Sequence, residues 1–241
     1  MVRIGNLLFH FRNYIFPVII LCLVVLTRPQ LPFGSETWDL SLDLLGFLVA
    51  LAGQSLRFLT IGYDYIKRGG LDRNIYADRL VTRGVFGHCR NPLYVGNFLI
   101  FLGMTLMLNS TLAYLVGIPI CLFAYAAIIL AEEDYLRRHF GAEYEDYCRR
   151  VNRIWPDWKN FSQSIEEMEF SWKRVITKEY NTTFAWLTLA LLLQMWESYR
   201  FHGEDSLPGI ERMALLLIPL MLGYALARLF KKMGRRPKYS L

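Results

Sequence analysis

Apolar and polar stretches alternate along this chain in blocks of about twenty residues, a pattern typical of proteins that cross a membrane several times. The six apolar runs lie at roughly 10–27, 41–61, 92–109, 111–131, 182–199 and 209–230. Each run is close to the ~20 residues that a helix needs to cross a hydrocarbon core. The pattern therefore predicts an all-α polytopic membrane protein with about six transmembrane helices.

Composition agrees with a membrane protein. Of 241 residues, 54% are hydrophobic and 15% aromatic, yet 20% are charged, and the charges concentrate between the apolar runs. Such a composition excludes an ordinary soluble domain. The four cysteines have no metal-ligand spacing, so we expect neither a metal site nor a disulfide from Cys22, Cys89, Cys121 and Cys148.

The basic residues predict the orientation of the chain. Lys and Arg concentrate in segments 62–91 and 132–181 and in the C-terminal tail, whereas the other connections carry only Arg28 and Arg200. The positive-inside rule then predicts that both termini and both large loops are cytoplasmic. Because the net charge of +6 is spread over three segments, it indicates topology and attraction to anionic lipid, and we expect no nucleic-acid partner.

Four segments are predicted from these patterns. Apolar residues recur every three or four positions after residue 161, which predicts an amphipathic stretch lying in the membrane interface. The segments are N-terminal helices with a cytoplasmic loop (1–79), a core that contains the candidate motifs (80–160), the interfacial amphipathic segment (161–181) and a C-terminal transmembrane hairpin with a basic tail (182–241).

Charged groups are predicted to meet where the third and fourth apolar runs reach one membrane face. Arg90 lies twenty residues before Ser110 and Glu132 twenty-two residues after it, so antiparallel helices rising ~1.5 Å per residue bring both to nearly the same height. Asn91 as N-cap and Pro92 as first helical residue form a good helix start. Ionisable groups are costly at such a place, which indicates a functional site in a cytoplasmic pocket formed by this hairpin and the segment after it.

Four short motifs follow one another in this region. They are Gly84-Val85-Phe86-Gly87-His88-Cys89-Arg90-Asn91-Pro92-Leu93-Tyr94-Val95-Gly96, Glu132-Glu133, Phe140-Gly141-Ala142-Glu143-Tyr144-Glu145-Asp146-Tyr147 and Val151-Asn152-Arg153-Ile154-Trp155-Pro156. In this order and spacing the segment of about 80–156 resembles the isoprenylcysteine carboxyl methyltransferase and phospholipid methyltransferase superfamily of integral membrane methyltransferases. It departs from that pattern where Val85-Phe86 replaces Pro-Tyr, Asn91 replaces His and Asn152 replaces Pro. The resemblance implies S-adenosylmethionine as methyl donor and a lipidic or prenylated acceptor.

The motifs supply the groups that this donor needs. Arg90 and the start of the third span can take its carboxylate, and Glu132 or Glu133 can accept hydrogen bonds from its ammonium or ribose diol. Arg153, with Arg149 and Arg150, can close the site over the donor or orient an anionic acceptor. We expect Arg90, Glu133 and Arg153 to be the catalytic residues.

The expected cofactor-binding residues come from three of the four motifs. Aromatic rings can pack on adenine or face the sulfonium, which adds three tyrosines to the set. The full set is His88, Arg90, Asn91, Pro92, Tyr94, Gly96, Glu132, Glu133, Tyr144 and Tyr147.

Several alternatives stay open. Similarity to sterol and steroid reductases, which includes Tyr147-Cys148, allows an NADPH-dependent membrane reductase, and a phospholipid N-methyltransferase or a non-catalytic transporter or scaffold is also possible on sequence. Glu132 and Glu133 can instead form helical ion pairs with Arg137 and Arg138. Gly96 and Gly103 fit close helix packing as well as a donor contact. Neither the acceptor nor the oligomeric state is determined by sequence.

Overall fold

The computed structural model describes residues 1–27, 29–64, 74–166 and 168–233, and the prediction of an all-α protein is confirmed. The α-helices are α1 (Val2–Leu26), α2 (Glu36–Tyr63), α3 (Pro92–Leu108), α4 (Ile118–Phe140), α5 (Ala142–Arg150), α6 (Phe161–Ile165), α7 (Trp172–His202), α8 (Leu207–Leu215) and α9 (Leu217–Met233). Part of the predicted orientation depends on Arg28 and on the basic residues of 65–73 and 234–241, which lie outside the described residues.

Four helical stretches are long and apolar enough to cross a membrane, judged by length and composition. They are Val2–Leu26, Glu36–Tyr63, Ala113–Phe140 and Trp172–Met233, and the shorter α3 is also apolar. The last stretch combines two predicted runs and is interrupted by a 3₁₀ turn at Gly203–Ser206. The chain is thus an integral membrane protein, and the count of six spans stays a prediction.

The described chain forms two compact units, Met1–Phe170 and Ser171–Leu241. The predicted interfacial segment 161–181 is divided between them: α6 belongs to the first unit, and α7 starts the second. The division has a local cause, because the Ser171 side chain accepts a hydrogen bond from Arg174 N at 3.3 Å and caps a new helix. The apolar stripe is therefore not carried by a single helix.

In the first unit, α2 and α3 pack closely as an antiparallel pair. Gly46 faces Gly103 and Gly53 faces Gly96, and a Cβ atom added at Gly53 would lie only 2.6 Å from the Gly96 carbonyl oxygen. Only residues without a side chain allow two backbones to approach this closely. The structure thus gives Gly96 and Gly103 the packing role that the sequence left open.

The other extensive contact in this unit joins α1 and α4, whereas α3 and α4 make few contacts with each other. Gly5 packs against the backbone of Ala127, and Leu23 packs near Gly117, so α1 and α4 are also antiparallel. The chain turns between α3 and α4 at Asn109, whose φ is +40°. The two helices of the predicted hairpin are therefore held mainly by their outer neighbours α2 and α1.

Replacing Gly53 by leucine is expected to destabilise the protein by about 1–3 kcal/mol, the usual cost of overpacking, because the new side chain must separate α2 from α3. The measurement is thermal unfolding in detergent, with Gly223→Leu as control, since a Cβ at Gly223 meets no atom within 4 Å. Equal unfolding temperatures for the two variants would contradict the described packing.

Candidate functional site

A buried carboxylate on α4 lies at the centre of the site. Glu133 is 3% exposed, and its Oε2 lies 2.8 Å from Arg153 Nη2. Its Oε1 lies 3.3 Å from Arg90 Nε and accepts a hydrogen bond from Asn91 Nδ2 at 3.3 Å. The basic start of α3 and the acidic part of α4 therefore meet, and a third element, the loop after α5, adds Arg153. We call Arg90, Asn91, Glu133 and Arg153 the Glu133 cluster.

Arg153 reaches this cluster because residues 152–157 run antiparallel along residues 88–90. Three hydrogen bonds hold the two segments together: Arg90 N to Asn152 O at 2.9 Å, Cys89 Sγ to Ile154 O at 3.2 Å and Asp157 N to His88 O at 3.0 Å. Cys89 is fully buried between them, and burial raises the pKa of its thiol to about 11. The first and fourth motifs thus pack against each other as two antiparallel segments.

His88 fastens this loop and does not join the Glu133 cluster. Its Nδ1 contacts the Asp157 carbonyl oxygen, and its Nε2 lies 2.9 Å from Ser164 Oγ. The ring of Trp158 stacks on the imidazole at a centroid distance of 6.3 Å. Because both ring nitrogens have protein partners, His88 has a structural role in this loop, and its contact with a cofactor stays a prediction.

Pro92 is the first residue of α3, as predicted, but the side chain of Asn91 does not cap the helix. It donates instead to Glu133 Oε1 and to the Arg153 carbonyl oxygen, the latter at 3.2 Å. At the helix start, the backbone N–H groups of Tyr94 and Val95 donate to the Asn91 carbonyl oxygen. The Asn91 side-chain amide therefore connects Glu133 of the second motif to Arg153 of the fourth.

Glu132 belongs to a separate polar pair. Tyr94 donates its hydroxyl hydrogen to Glu132 Oε1 at 2.9 Å, and the Tyr94 ring lies 5.6 Å from that of Tyr125. Arg12 of α1 interacts electrostatically with both Glu132 and Tyr94. Arg12 was not among the expected site residues, although a cation inside an apolar run was the signal that could have identified it.

Gly96 makes room for a second unexpected arginine. A Cβ at Gly96 would lie 2.6 Å from Arg57 Cγ, so the buried Arg57 side chain crosses α3 at this point. Its guanidinium donates to Asn97 Oδ1 and to the Leu93 carbonyl oxygen, the latter at 3.4 Å. Gly96 thus holds the α2–α3 contact, and the structure gives no direct ligand role to it.

Tyr144 and Tyr147 are core residues of α5. Both are buried with Val151, and Tyr147 donates its hydroxyl hydrogen to the Phe86 carbonyl oxygen at 2.7 Å. Burial raises the pKa of both phenols. Tyr147 thus supports the first motif from α5, and the contact of the two rings with adenine or the sulfonium stays a prediction.

The other arginines are engaged elsewhere. Arg149 and Arg150 pair with Asp146, at 3.4 and 2.9 Å, on the exposed side of α5. Of the three arginines expected to close the site, Arg153 alone contacts Glu133 among the described contacts. The alternative of helical ion pairs for the two adjacent glutamates is wrong, since Arg137 pairs with Glu145 and Arg138 with Asp134.

A cavity of about 450 Å³ lies beside α4 but not at the Glu133 cluster. Its lining residues are Asn6, Asn74, Ile75, Ala131, Asp134, Tyr135, Arg138 and His139, none of them from α3. At 100° per residue, Ala131 and Tyr135 are on the side of α4 opposite Glu133. The pocket expected between the third and fourth spans therefore stays a prediction.

The Glu133 cluster carries two cations and one anion. Arg90 Nε is within ion-pair distance of Glu133, yet its N–H is not directed at an acceptor, and this buried atom has no hydrogen-bond partner in the described chain. The Arg153 side chain is 48% exposed and reaches the surface. A surplus positive charge with an unused buried donor is suited to binding an anionic group.

Known proteins resemble this region. Residues 44–143 match the family model described as phospholipid methyltransferase. The chain is 41% identical over 81 residues to the nickel-cobalt-cadmium resistance protein NccN of Alcaligenes xylosoxydans xylosoxydans, and 31% identical over 141 residues to the cobalt-zinc-cadmium resistance protein CzcN of Cupriavidus metallidurans. These alignments cover 33% and 55% of this chain and only 37% and 60% of those two proteins.

The alignment with a plant relative covers a larger share of that relative. The chain is 28% identical over 148 residues to a probable protein-S-isoprenylcysteine O-methyltransferase of Oryza sativa subsp. indica, which is 60% of this chain and 76% of that protein. No solved structure matches the chain significantly. The family model, the named relatives and the ordered motifs agree. Together they support a membrane methyltransferase of the family that includes the phospholipid methyltransferases and the protein-S-isoprenylcysteine O-methyltransferases.

Proposed function

We propose that this chain uses S-adenosylmethionine to methylate a lipidic acceptor in the membrane, as an enzyme of the isoprenylcysteine carboxyl O-methyltransferase type. The observation that carries the proposal is the convergence of three motifs on one buried carboxylate: Arg90 and Asn91 from the first, Glu133 from the second and Arg153 from the fourth. The third motif packs beneath them through Tyr147. Segments far apart in sequence converge here on a charged centre that burial makes costly.

The charges of the cluster fit the methyl donor. S-adenosylmethionine supplies, when bound, a methyl group on a positively charged sulfur, and it also carries a carboxylate and an ammonium. The unused Arg90 Nε and the half-exposed Arg153 are suited to hold the carboxylate. Glu132, which already accepts from Tyr94, is suited to accept from the ammonium or the ribose hydroxyls.

Glu133 acts through the two arginines. With both oxygens engaged by Arg90, Asn91 and Arg153, it fixes the direction of the guanidinium groups and lowers their mutual repulsion. Methyl transfer is an in-line displacement, whose barrier falls mainly when the reacting groups are held at near-attack distance. We assign Arg90 and Arg153 to holding anionic groups and Glu133 to keeping that arrangement.

The surplus positive charge also favours a carboxylate acceptor over an amine. An ionised carboxylate needs no general base before it is methylated, and the cluster is positive enough to attract it. An amine acceptor must be neutral to react, and nearby arginines do not help it to bind. Carboxyl O-methylation is therefore favoured over phospholipid N-methylation for this chain.

We place the site on the cytoplasmic side. Described basic residues gather at the end of the first unit that contains the cluster, among them Arg79, Arg83 and Lys159. The positive-inside rule assigns such a surface to the cytoplasm, where a water-soluble donor is available. The lipidic acceptor would then enter from the bilayer.

The purified protein in detergent is expected to bind S-adenosylmethionine and not NADPH in calorimetry. With a membrane lipid extract and donor labelled in the methyl group, label should enter the organic phase as an alkali-labile methyl ester that releases methanol. Binding of NADPH alone would favour the reductase. Alkali-stable label in a phospholipid would favour N-methylation, and binding of neither cofactor would favour a non-catalytic protein.

Replacing Glu133 by glutamine is expected to raise the Kd for S-adenosylmethionine by about tenfold, or ~1.4 kcal/mol, because the two arginines lose the charge that orients them. The measurement is calorimetry on protein that elutes as a folded species in size exclusion. The control Glu143→Gln removes an exposed carboxylate from the nearby α5 and should leave the Kd unchanged. Unchanged donor binding in Glu133→Gln would remove this residue from the site.

A further inference from the structure

The loop that carries Arg153 also carries a tryptophan that the fold leaves uncovered. Trp155 is 81% exposed, although the segment 152–157 around it is held by backbone hydrogen bonds to Arg90 and His88. An indole this exposed on an ordered backbone is not explained by packing within the described chain. A large exposed apolar group on a fixed surface indicates a contact with something else.

The position of the loop indicates what that contact is. The Asn152 carbonyl accepts from Arg90 N, two residues before α3 begins at Pro92. At the other end, the Phe161 ring meets that of Tyr63, the last residue of α2, at a centroid distance of 6.3 Å. Residues 152–161 therefore lie where two apolar helices end, which is the level of the lipid headgroups on that side.

Tryptophan is the residue best suited to this level. Its ring is apolar, its N–H needs a polar partner, and both requirements are met between acyl chains and headgroups. The same surface continues at Trp158, which is half-exposed and stacks on His88, and at the neighbouring cation Lys159. An apolar ring beside a cation complements a layer of ester groups and phosphates.

We propose that Trp155 docks the 152–158 loop into the headgroup layer of the bilayer that this chain spans, and that this contact holds Arg153 on Glu133 for reaction with a membrane-borne acceptor. Only Ile154 separates Trp155 from Arg153, so movement of the indole moves the arginine backbone. The docking itself is independent of the enzyme's reaction, whereas its effect on the acceptor rests on the function proposed above. Trp155 is thus a positioning residue that acts through Arg153.

The docking is tested by tryptophan fluorescence in nanodiscs of ordinary lipid and of lipid brominated close to the headgroup. Bromine should quench a smaller fraction of the emission in Trp155→Phe than in the unaltered protein. The control Trp186→Phe removes a buried indole of α7 and should not lower the quenched fraction. Equal quenching in Trp155→Phe and the unaltered protein would overturn the docking.

The coupling is tested by kinetics of Trp155→Ser in the same nanodiscs. The KM for the lipidic acceptor and the Kd for S-adenosylmethionine should both rise several-fold, because Arg153 is assigned to anionic groups of either, and Trp155→Phe, which keeps a ring, should restore part of the loss. A merely structural role would weaken donor binding equally in detergent, where no headgroup layer is present, and would overturn the coupling, as would an unchanged acceptor KM. If the unaltered protein methylates nothing, the proposed function fails, and the quenching result still decides the docking.

Discussion

The Glu133 carboxylate, shared by Arg90 and Arg153 in a nearly water-free position, is the interaction on which the rest of this structure depends. A buried charge without a partner is strongly destabilising, so each of the three elements that meet there is required by the other two. α4 supplies the anion, the start of α3 supplies one cation and an amide, and the loop after α5 supplies the second cation. Removing the Glu133 carboxylate leaves two cations without an anion, and removing either arginine takes one charged partner from the buried carboxylate.

Close helix packing makes this meeting possible. Glycines let α2 approach α3, and Gly5 lets α1 approach α4, so each helix of the α3–α4 pair is fixed from outside. α3 and α4 meet each other through an apolar cluster that includes Phe101 and Cys121, and nearer the Glu133 cluster through polar side chains. The candidate site is therefore built on helices, while Arg153 comes from a loop that His88 fastens through both ring nitrogens.

The sequence was sufficient to predict the helical class, the turn near Ser110 and the meeting of Arg90 with Glu133, because these follow from run lengths and residue counting. It was not sufficient for the antiparallel contact between residues 88–90 and 152–157, which depends on how the chain folds back after α5. That contact decides several roles at once: it engages His88, turns the Asn91 amide toward Glu133 and brings in Arg153.

The environment of Tyr144 and Tyr147 also could not be predicted from the sequence. Aromatic residues in a motif are compatible with ligand stacking and with core packing, and only the tertiary structure shows that both rings are buried with Val151 and that Tyr147 bonds the Phe86 carbonyl oxygen. Arg12 and Arg57 were visible as cations inside apolar runs, but their partners on other helices were not. Local pattern thus predicted which segments converge better than it predicted the contacts of each residue.

The central claim is that Glu133 and Arg153 act as one unit, and a double-mutant cycle tests it most directly. The free energy of S-adenosylmethionine binding is measured by calorimetry for the unaltered protein, Glu133→Gln, Arg153→Met and the double variant. Residues in one ion-pair network are expected to show a coupling energy of about 0.5–3 kcal/mol, so the double variant should lose less affinity than the two single losses added together. Strictly additive losses would show that the two residues act independently and would contradict the account.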